Sequence, residues 1–112
     1  MGNIRREVVA IASECGFDRA RLADVRLAVS EAATNAVVHA YRGRDGEIRA
    51  RVTVTRDEFV VVIADRGLGM IPRADSPGLG LGLPTITTVS DRLEVVSEGD
   101  GCELHISFRR PR

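Results

Sequence analysis

The most hydrophobic run in the chain, residues 59–64, ends abruptly in a carboxylate and two glycines. Its letters, Phe-Val-Val-Val-Ile-Ala, predict a buried strand. Asp65 follows at once, and Gly67 and Gly69 come directly after it. Because glycine has no Cβ, backbone at these positions can approach a ligand closely. The segment therefore places a charged hydrogen-bond acceptor beside an accessible main chain, although an aspartate that only closes its own turn is the simpler alternative.

Composition indicates one folded unit, and we expect a single domain over residues 1–112. The chain has 44% hydrophobic and 29% charged residues, a balance typical of globular proteins. Its formal net charge is zero, which gives no electrostatic reason to expect binding to nucleic acid or to a membrane surface. Every basic residue except the two histidines is arginine, so a phosphate-binding lysine of the P-loop type is excluded.

Hydrophobic periodicity predicts three helices and four strands. The helices are expected over residues 3–15, 19–41 (with a break near Asp24 left open) and 83–90, and the strands over 47–55, 58–64, 93–97 and 102–108. Gly16 should end the first helix, Asp18 should cap the second, and Pro84 suits the first turn of the third. The resulting fold class is α+β, with helices covering one face of a sheet.

The strand predicted over residues 47–55 shows the clearest alternation of apolar and polar residues. We expect it to be half-buried, with four inward side chains: Ile48, Ala50, Val52 and Val54.

Cysteine usage and the polar beginning of the chain favour a cytoplasmic protein. Cys15 and Cys102 are far apart in sequence and are expected to be buried free thiols. The first residues lack the apolar stretch of a secretory signal, and no run is long enough to cross a membrane. His39 and His105 are expected to have structural or surface positions.

Two polar residues interrupt the Ala-rich second helix. Glu31 and Asn35 are four residues apart and so share one helix face. Asparagine is unfavourable inside a helix, which suggests that Asn35 has another task. Its amide oxygen suits Mg²⁺, which prefers few protein oxygens together with substrate phosphates, and Glu31 can accept a proton. The alternative for this pair is a solvated helix edge.

A second glycine segment, Gly-Leu-Gly-Leu-Gly over residues 78–82, precedes the third helix. Flexible N–H groups at a helix N-terminus form an anion site, so Gly78, Gly80 and Gly82 are candidates for phosphate binding. The spacing differs from the dinucleotide fingerprint, and such a loop taken alone is weak evidence. Asp65, in turn, could accept a hydrogen bond from the amine of adenine.

Taken together and in this order, the three segments resemble the conserved boxes of the Bergerat-fold ATPases, the GHKL superfamily of gyrase, histidine kinases and MutL. Residues 30–41, Ser-Glu-Ala-Ala-Thr-Asn-Ala-Val-Val-His-Ala-Tyr, are similar to the corresponding segment of the anti-sigma factor serine/threonine kinases. The resemblance covers residues 5–108. It implies a two-layer sandwich, with about three helices on a mixed sheet of four to five strands and ATP bound between the layers.

The resemblance also implies a role for each candidate residue. Glu31 would be the general base for the acceptor hydroxyl, and Asn35 the Mg²⁺ ligand. Asp65 would contact the adenine amine. The glycines would shape the pocket, Gly67 and Gly69 around the base and Gly78, Gly80 and Gly82 along the phosphates. The implied reaction moves the γ-phosphoryl group of ATP to a serine or threonine of an anti-sigma-factor antagonist of the STAS type, while the kinase itself holds a sigma factor inactive.

The chain departs from the family pattern in two places. Relatives usually carry an N-terminal strand, whereas this sequence starts close to its first helix, which leaves a homodimer as an open expectation. The segment at 70–77 is short for an ATP lid, and Arg73 is its only cation, so Arg73 is the expected phosphate contact.

The short lid keeps a second function open. An ATP-binding regulatory module with little or no kinase activity competes with the kinase, and the presence of Glu31 favours the enzyme. The catalytic domain of a histidine kinase is a weaker alternative, because no phosphoacceptor helices accompany it.

Overall fold

The computed structural model describes residues 2–35, 48–65, 79–98 and 101–111. Within them lie three helices and four strands. The helices are α1 (Gly2–Glu14), α2 (Arg19–Asn35) and α3 (Leu79–Val89), and the strands are β1 (Ile48–Val54), β2 (Glu58–Asp65), β3 (Arg92–Glu98) and β4 (Gly101–Arg109). The element order and the α+β class predicted from the sequence are confirmed.

The four strands form one sheet in the order β1-β2-β4-β3, and every pairing between them is antiparallel. This differs from the expected mixed sheet. Since β2 and β3 are both antiparallel to β4, they run in the same direction, as a crossover through α3 requires. They do not pair because β4 lies between them.

The helices cover one face of this sheet. The inward side chains of the two central strands alternate along each strand and are almost fully buried: Phe59, Val61, Ile63, Cys102, Leu104, Ile106 and Phe108. The helices supply the opposing layer, chiefly with Val8 and Ala12 of α1, Val25, Ala28, Val29, Ala32 and Ala33 of α2, and Leu83 and Ile86 of α3. The many small residues of α2 let this helix approach the flat sheet closely, and it contacts both β2 and β4.

Local signals set the junction between the first two helices. Gly16 has a φ of 93°, the left-handed conformation that ends a helix, and its N–H donates to the carbonyl of Ser13 at 3.1 Å. Asp18 then accepts a hydrogen bond from the N–H of Arg21 at 2.8 Å, which makes it the N-cap of α2. Both predictions are confirmed, and α2 is continuous through Asp24.

The third helix starts earlier than predicted. It begins at Leu79, so Pro84 lies inside the helix and not in its first turn. Glycine and proline both argue against helix locally. Burial of Leu83 and Ile86 in the core offsets that preference, and so tertiary packing decides the boundary.

Strand β1 is less buried than its alternating sequence suggests. Ile48 and Val52 pack against the core as expected, but Ala50 is exposed and Val54 is 43% exposed. The strand is at the edge of the sheet, and among the described elements α2 contacts β2 and β4 in the middle of it. An edge strand outside the helical layer retains the alternating pattern but loses the burial.

The remaining expectations concern cysteines, histidines and membrane segments. Cys15 and Cys102 are free, with Cys102 buried and Cys15 partly buried. His105 is partly exposed on β4, and its Nε2 lies 2.8 Å from Glu103. His39 and the predicted helical residues 36–41 lie outside the described residues. No helix in the described part of the chain is long and apolar enough to cross a membrane.

Candidate functional site

Asp65 is the last residue of β2, a central strand of the sheet. It pairs in register with Ile48 of β1 on one side and Cys102 of β4 on the other. The residue is only 5% exposed, and its Oδ2 oxygen is buried. Carboxylates are seldom buried, and this one closes a central strand, so we treat Asp65 as a candidate for ligand recognition.

Glu31 and Asn35 lie on α2, as the sequence predicts, in the last two turns of its described span Arg19–Asn35. Glu31 is partly exposed, while its neighbours Ala32 and Ala33 are buried against the sheet. Glu31 thus lies at the border of the core and is partly accessible to solvent. One residue earlier, Ser30 accepts a hydrogen bond from Arg5 of α1 at 3.3 Å. Asn35 is the last residue of the helix, and its side chain lies outside the described structure.

Gly80 and Gly82 lie in the first turn of α3, where backbone N–H groups have no partner within the helix. The positive end of the helix dipole coincides with this turn, so it favours an anion. The other predicted site residues, Gly67, Gly69, Arg73 and Gly78, lie outside the described residues.

The opposite end of the domain is fixed by Arg21 in the first turn of α2. Its guanidinium donates to the carbonyl of Val89, the last residue of α3, at 2.6 Å, and to Asp91 at 2.6 Å. It also bonds Asp24 at 3.0 Å and lies 5.0 Å from the ring centre of Phe108 in β4. We call these five residues the Arg21 cluster. It joins the start of α2, the end of α3 and the last part of β4.

This cluster determines where the other ends of the elements lie. Phe108 pairs with Phe59, so the start of β2 is also at the cluster. From Phe59 to Asp65 the strand advances roughly 20 Å. From Arg21 to Asn35 the helix advances about 21 Å across the same sheet. The ends of α2 and β2 and the start of α3 therefore lie away from the cluster, and we call the region of Asn35, Asp65 and Gly80 the distal end.

The distal end thus combines three chemically different groups. It has a buried carboxylate for a hydrogen-bond donor, a helix N-terminus for an anion, and an accessible carboxylate on the last turns of α2. A ligand with a donor-bearing base at one end and phosphates at the other matches this set.

The comparisons with known proteins agree with such a ligand. The model of the histidine kinase-like ATPase domain matches residues 1–108. The chain belongs to this family. Within it, the relatives place the chain among the anti-sigma factor serine kinases. The family is one of ATPase domains, and ATP is accordingly the nucleotide to consider.

Two relatives and one solved structure illustrate the relationship. The serine-protein kinase RsbW of Bacillus pumilus is 35% identical over 85% of this chain and 70% of its own length. The anti-sigma F factor of Clostridium beijerinckii is 35% identical over 74% of this chain and 67% of its own. The histidine kinase domain from the blue-light activated histidine kinase of Erythrobacter litoralis EL346 superposes with a TM-score of 0.61 at 26% identity. That match covers 79% of this chain and 44% of the solved one.

Outside the candidate site, the sequence did not identify the residues of the Arg21 cluster. Arg21 and Asp91 are 70 positions apart, and no local spacing relates them. Only the Asp18 cap hinted that the first turn of α2 is fixed in place. The contact joins the end of α3 to the start of α2.

Proposed function

We propose that the chain is an ATP-dependent serine/threonine protein kinase that also acts as an anti-sigma factor. It would phosphorylate an anti-sigma-factor antagonist and sequester a sigma factor. The observation that carries the proposal is the buried Asp65 at the end of a central strand, in a chain that belongs to a family of ATPase domains. The names of the relatives, a serine-protein kinase and an anti-sigma factor, give the class of reaction and partner.

Asp65 would recognise the adenine base. Its carboxylate is an acceptor only, and the exocyclic amine of adenine is a donor. Guanine presents a carbonyl at the same ring position, which would oppose the carboxylate. The adjoining Gly67 and Gly69 would leave room for the base against the main chain. The site would therefore select ATP over GTP.

The start of α3 would hold the phosphates. Gly80 and Gly82 lie in its first turn, where free N–H groups and the helix dipole both favour negative charge. Gly78 precedes this turn, and Arg73 would add a positive charge from the lid. Asn35 at the end of α2 fits a metal site that uses one protein oxygen with phosphates and water. Bound Mg²⁺ would offset the charge that develops on the phosphates during transfer.

Glu31 would act as the general base. It is partly exposed one helical turn before Asn35, so an incoming hydroxyl can reach it. The carboxylate would accept the proton of the serine or threonine hydroxyl while the oxygen attacks the γ-phosphorus and ADP leaves. Phosphoryl transfer depends mainly on positioning and charge stabilisation, so this small group of residues suffices.

The name anti-sigma F factor supports a sigma factor as one proposed partner. The other proposed partner, an antagonist protein of the STAS type that carries the acceptor hydroxyl, follows from the family resemblance of residues 30–41. A homodimer stays an open expectation from the same resemblance.

Phosphate transfer to a purified STAS-type antagonist from [γ-³²P]ATP tests the proposal. We expect Glu31→Gln to lower the transfer rate by about 10²- to 10⁴-fold while ATP binding is retained. Glu7→Gln, an exposed change on α1, is the matched control and should transfer at the normal rate. Transfer that is absent from the unchanged protein despite ATP binding would instead favour a regulatory module without kinase activity.

A further inference from the structure

Arg21 makes more contacts between distant elements than a surface arginine usually does. Its guanidinium bonds Val89 and Asp91, which lie 68 and 70 positions away, as well as the nearby Asp24. It also lies over the ring of Phe108. Isolated surface ion pairs contribute little to stability, but here one side chain joins two helices and a strand. This geometry indicates a task beyond charge pairing.

The contact with Val89 satisfies the end of α3. The last carbonyls of a helix have no partner within it and carry the negative end of the dipole. The positively charged Arg21 donates directly to one of them at 2.6 Å. The residues after the helix are held as well, because the N–H of Asp91 donates to Ser107 at 2.9 Å and its carboxylate accepts from the N–H of Arg109 at 2.6 Å.

The two ends of α3 differ in how they are held. In the last turns the hydroxyls of Thr87, Thr88 and Ser90 each donate to the carbonyl four residues earlier. Near the start, Pro84 has no N–H and so removes the helical bond to the carbonyl of Gly80. The first turn is therefore internally weak, and its position depends on how the remainder of the helix is fixed.

We propose that Arg21 is a positioning residue for phosphate binding. It fixes the C-terminal end of α3 to α2 and β4. It thereby determines where the first turn of α3 lies relative to the bound phosphates. The helix has 11 residues and is about 16 Å long, so a tilt at Val89 displaces Gly80. This inference rests on the proposed ATP site. Arg21 should affect the binding of the phosphates and should not affect the binding of the adenine base.

The test compares two ligands that share the base and differ in phosphates. Dissociation constants for Mg-ATP and for adenosine are measured by calorimetry or NMR titration on the unchanged protein and on Arg21→Gln. We expect the affinity for Mg-ATP to fall about tenfold, whereas adenosine changes by less than about twofold. Arg21→Lys retains the charge but not the forked geometry, so it should recover part of the loss.

Two controls separate positioning from general destabilisation. Val8→Ala weakens the core from α1, a helix that packs mainly against α2 in the described structure, and it should leave the ratio of the two affinities unchanged. Arg26→Gln removes an exposed positive charge from α2 and should do the same. If Arg21→Gln does not fold, Asp91→Asn removes one anchor more mildly and should weaken Mg-ATP by roughly threefold.

The outcomes are distinct. An unchanged ratio in folded Arg21→Gln, or in Asp91→Asn when the first variant is unfolded, overturns the positioning role while the ATP site stands. Equal losses of adenosine and Mg-ATP overturn it also, because they indicate general disorder. If the unchanged protein binds neither ligand, the nucleotide site is wrong and the role of Arg21 is wrong with it.

Discussion

The two ends of this domain are built in different ways. At the Arg21 cluster, the Arg21 side chain of α2 is joined to the main chain at the end of α3, to two aspartates and to a ring of β4. The contacts are short hydrogen bonds, two ion pairs and a cation–ring contact. At the distal end, the described features are the ends of elements: the last turns of α2, the last residue of β2 and the first turn of α3. The Arg21 cluster thus connects the layers, whereas the described residues of the distal end are those that we propose as ligand contacts.

The difference suggests that the Arg21 cluster contributes mainly to stability and the distal end mainly to ligand binding. Groups that bind a ligand must stay available, so they contribute less to internal cross-linking and are often costly to stability. Arg21 satisfies its partners within the protein, whereas Glu31 is partly exposed and is proposed, with the first turn of α3, to contact the ligand. Substitutions at the Arg21 cluster should therefore mainly lower stability, and substitutions at the distal end should mainly lower nucleotide affinity.

The largest expected effect on stability is at the Arg21 cluster. Phe108 is fully buried and also supplies the ring beneath Arg21. We expect Phe108→Ala to lower the free energy of unfolding by about 3–5 kcal/mol, because it leaves a cavity and removes the ring contact. Denaturant unfolding measures this. Val95→Ala, at a 39% exposed position on an edge strand, is the control and should cost much less.

A change at the distal end should show the reverse profile. Asp65→Asn preserves the size of the side chain but places an amide where the adenine amine would donate. We expect ATP affinity to fall by about 10- to 100-fold, the range for one buried charged hydrogen bond. The unliganded protein should retain most of its stability. Asp57→Asn, at an exposed position in the turn between β1 and β2, is the matched control. Equal affinities of the unchanged protein for ATP and GTP would refute the role of Asp65 in adenine recognition.

The smallest effect concerns the cap that holds the first turn of α2. Asp18 accepts the N–H of Arg21, so Asp18→Ala should lower the free energy of unfolding by about 1 kcal/mol. Asp18→Asn retains a capping oxygen and should restore most of that loss. If thermal unfolding shows no difference between these two variants, the cap does not contribute to the stability of the first turn of α2.

Local periodicity was enough to predict much of the fold. The run at 59–64 proved to be a central strand, and Gly16 and Asp18 marked the helix junction correctly. These features depend on neighbours in sequence. The start of α3 was predicted wrongly because glycine and Pro84 oppose a helix locally, while burial of Leu83 and Ile86 imposes one.

The errors and omissions elsewhere share a cause, which is dependence on distant parts of the chain. The inward face of β1 was identified, but the exposure of Ala50 and Val54 depends on which strands the helices cover. The Arg21 cluster depends on contacts across 68 to 87 positions, and no spacing pattern reports them. The site residues, by contrast, were found from short local motifs together with a resemblance to a family, and their roles stay predictions.

Thermal unfolding with and without Mg-ATP tests the central claim, that the distal end is an ATP site, most directly. ATP at about 100 times its dissociation constant should stabilise the folded state by roughly 2.7 kcal/mol. For a domain of this size the midpoint should then rise by on the order of ten degrees. The shift should require Mg²⁺ and should be lost in Asn35→Ala but not in the exposed control Asn3→Ala. No shift at millimolar ATP, or an equal shift in Asn35→Ala, would contradict the proposed site.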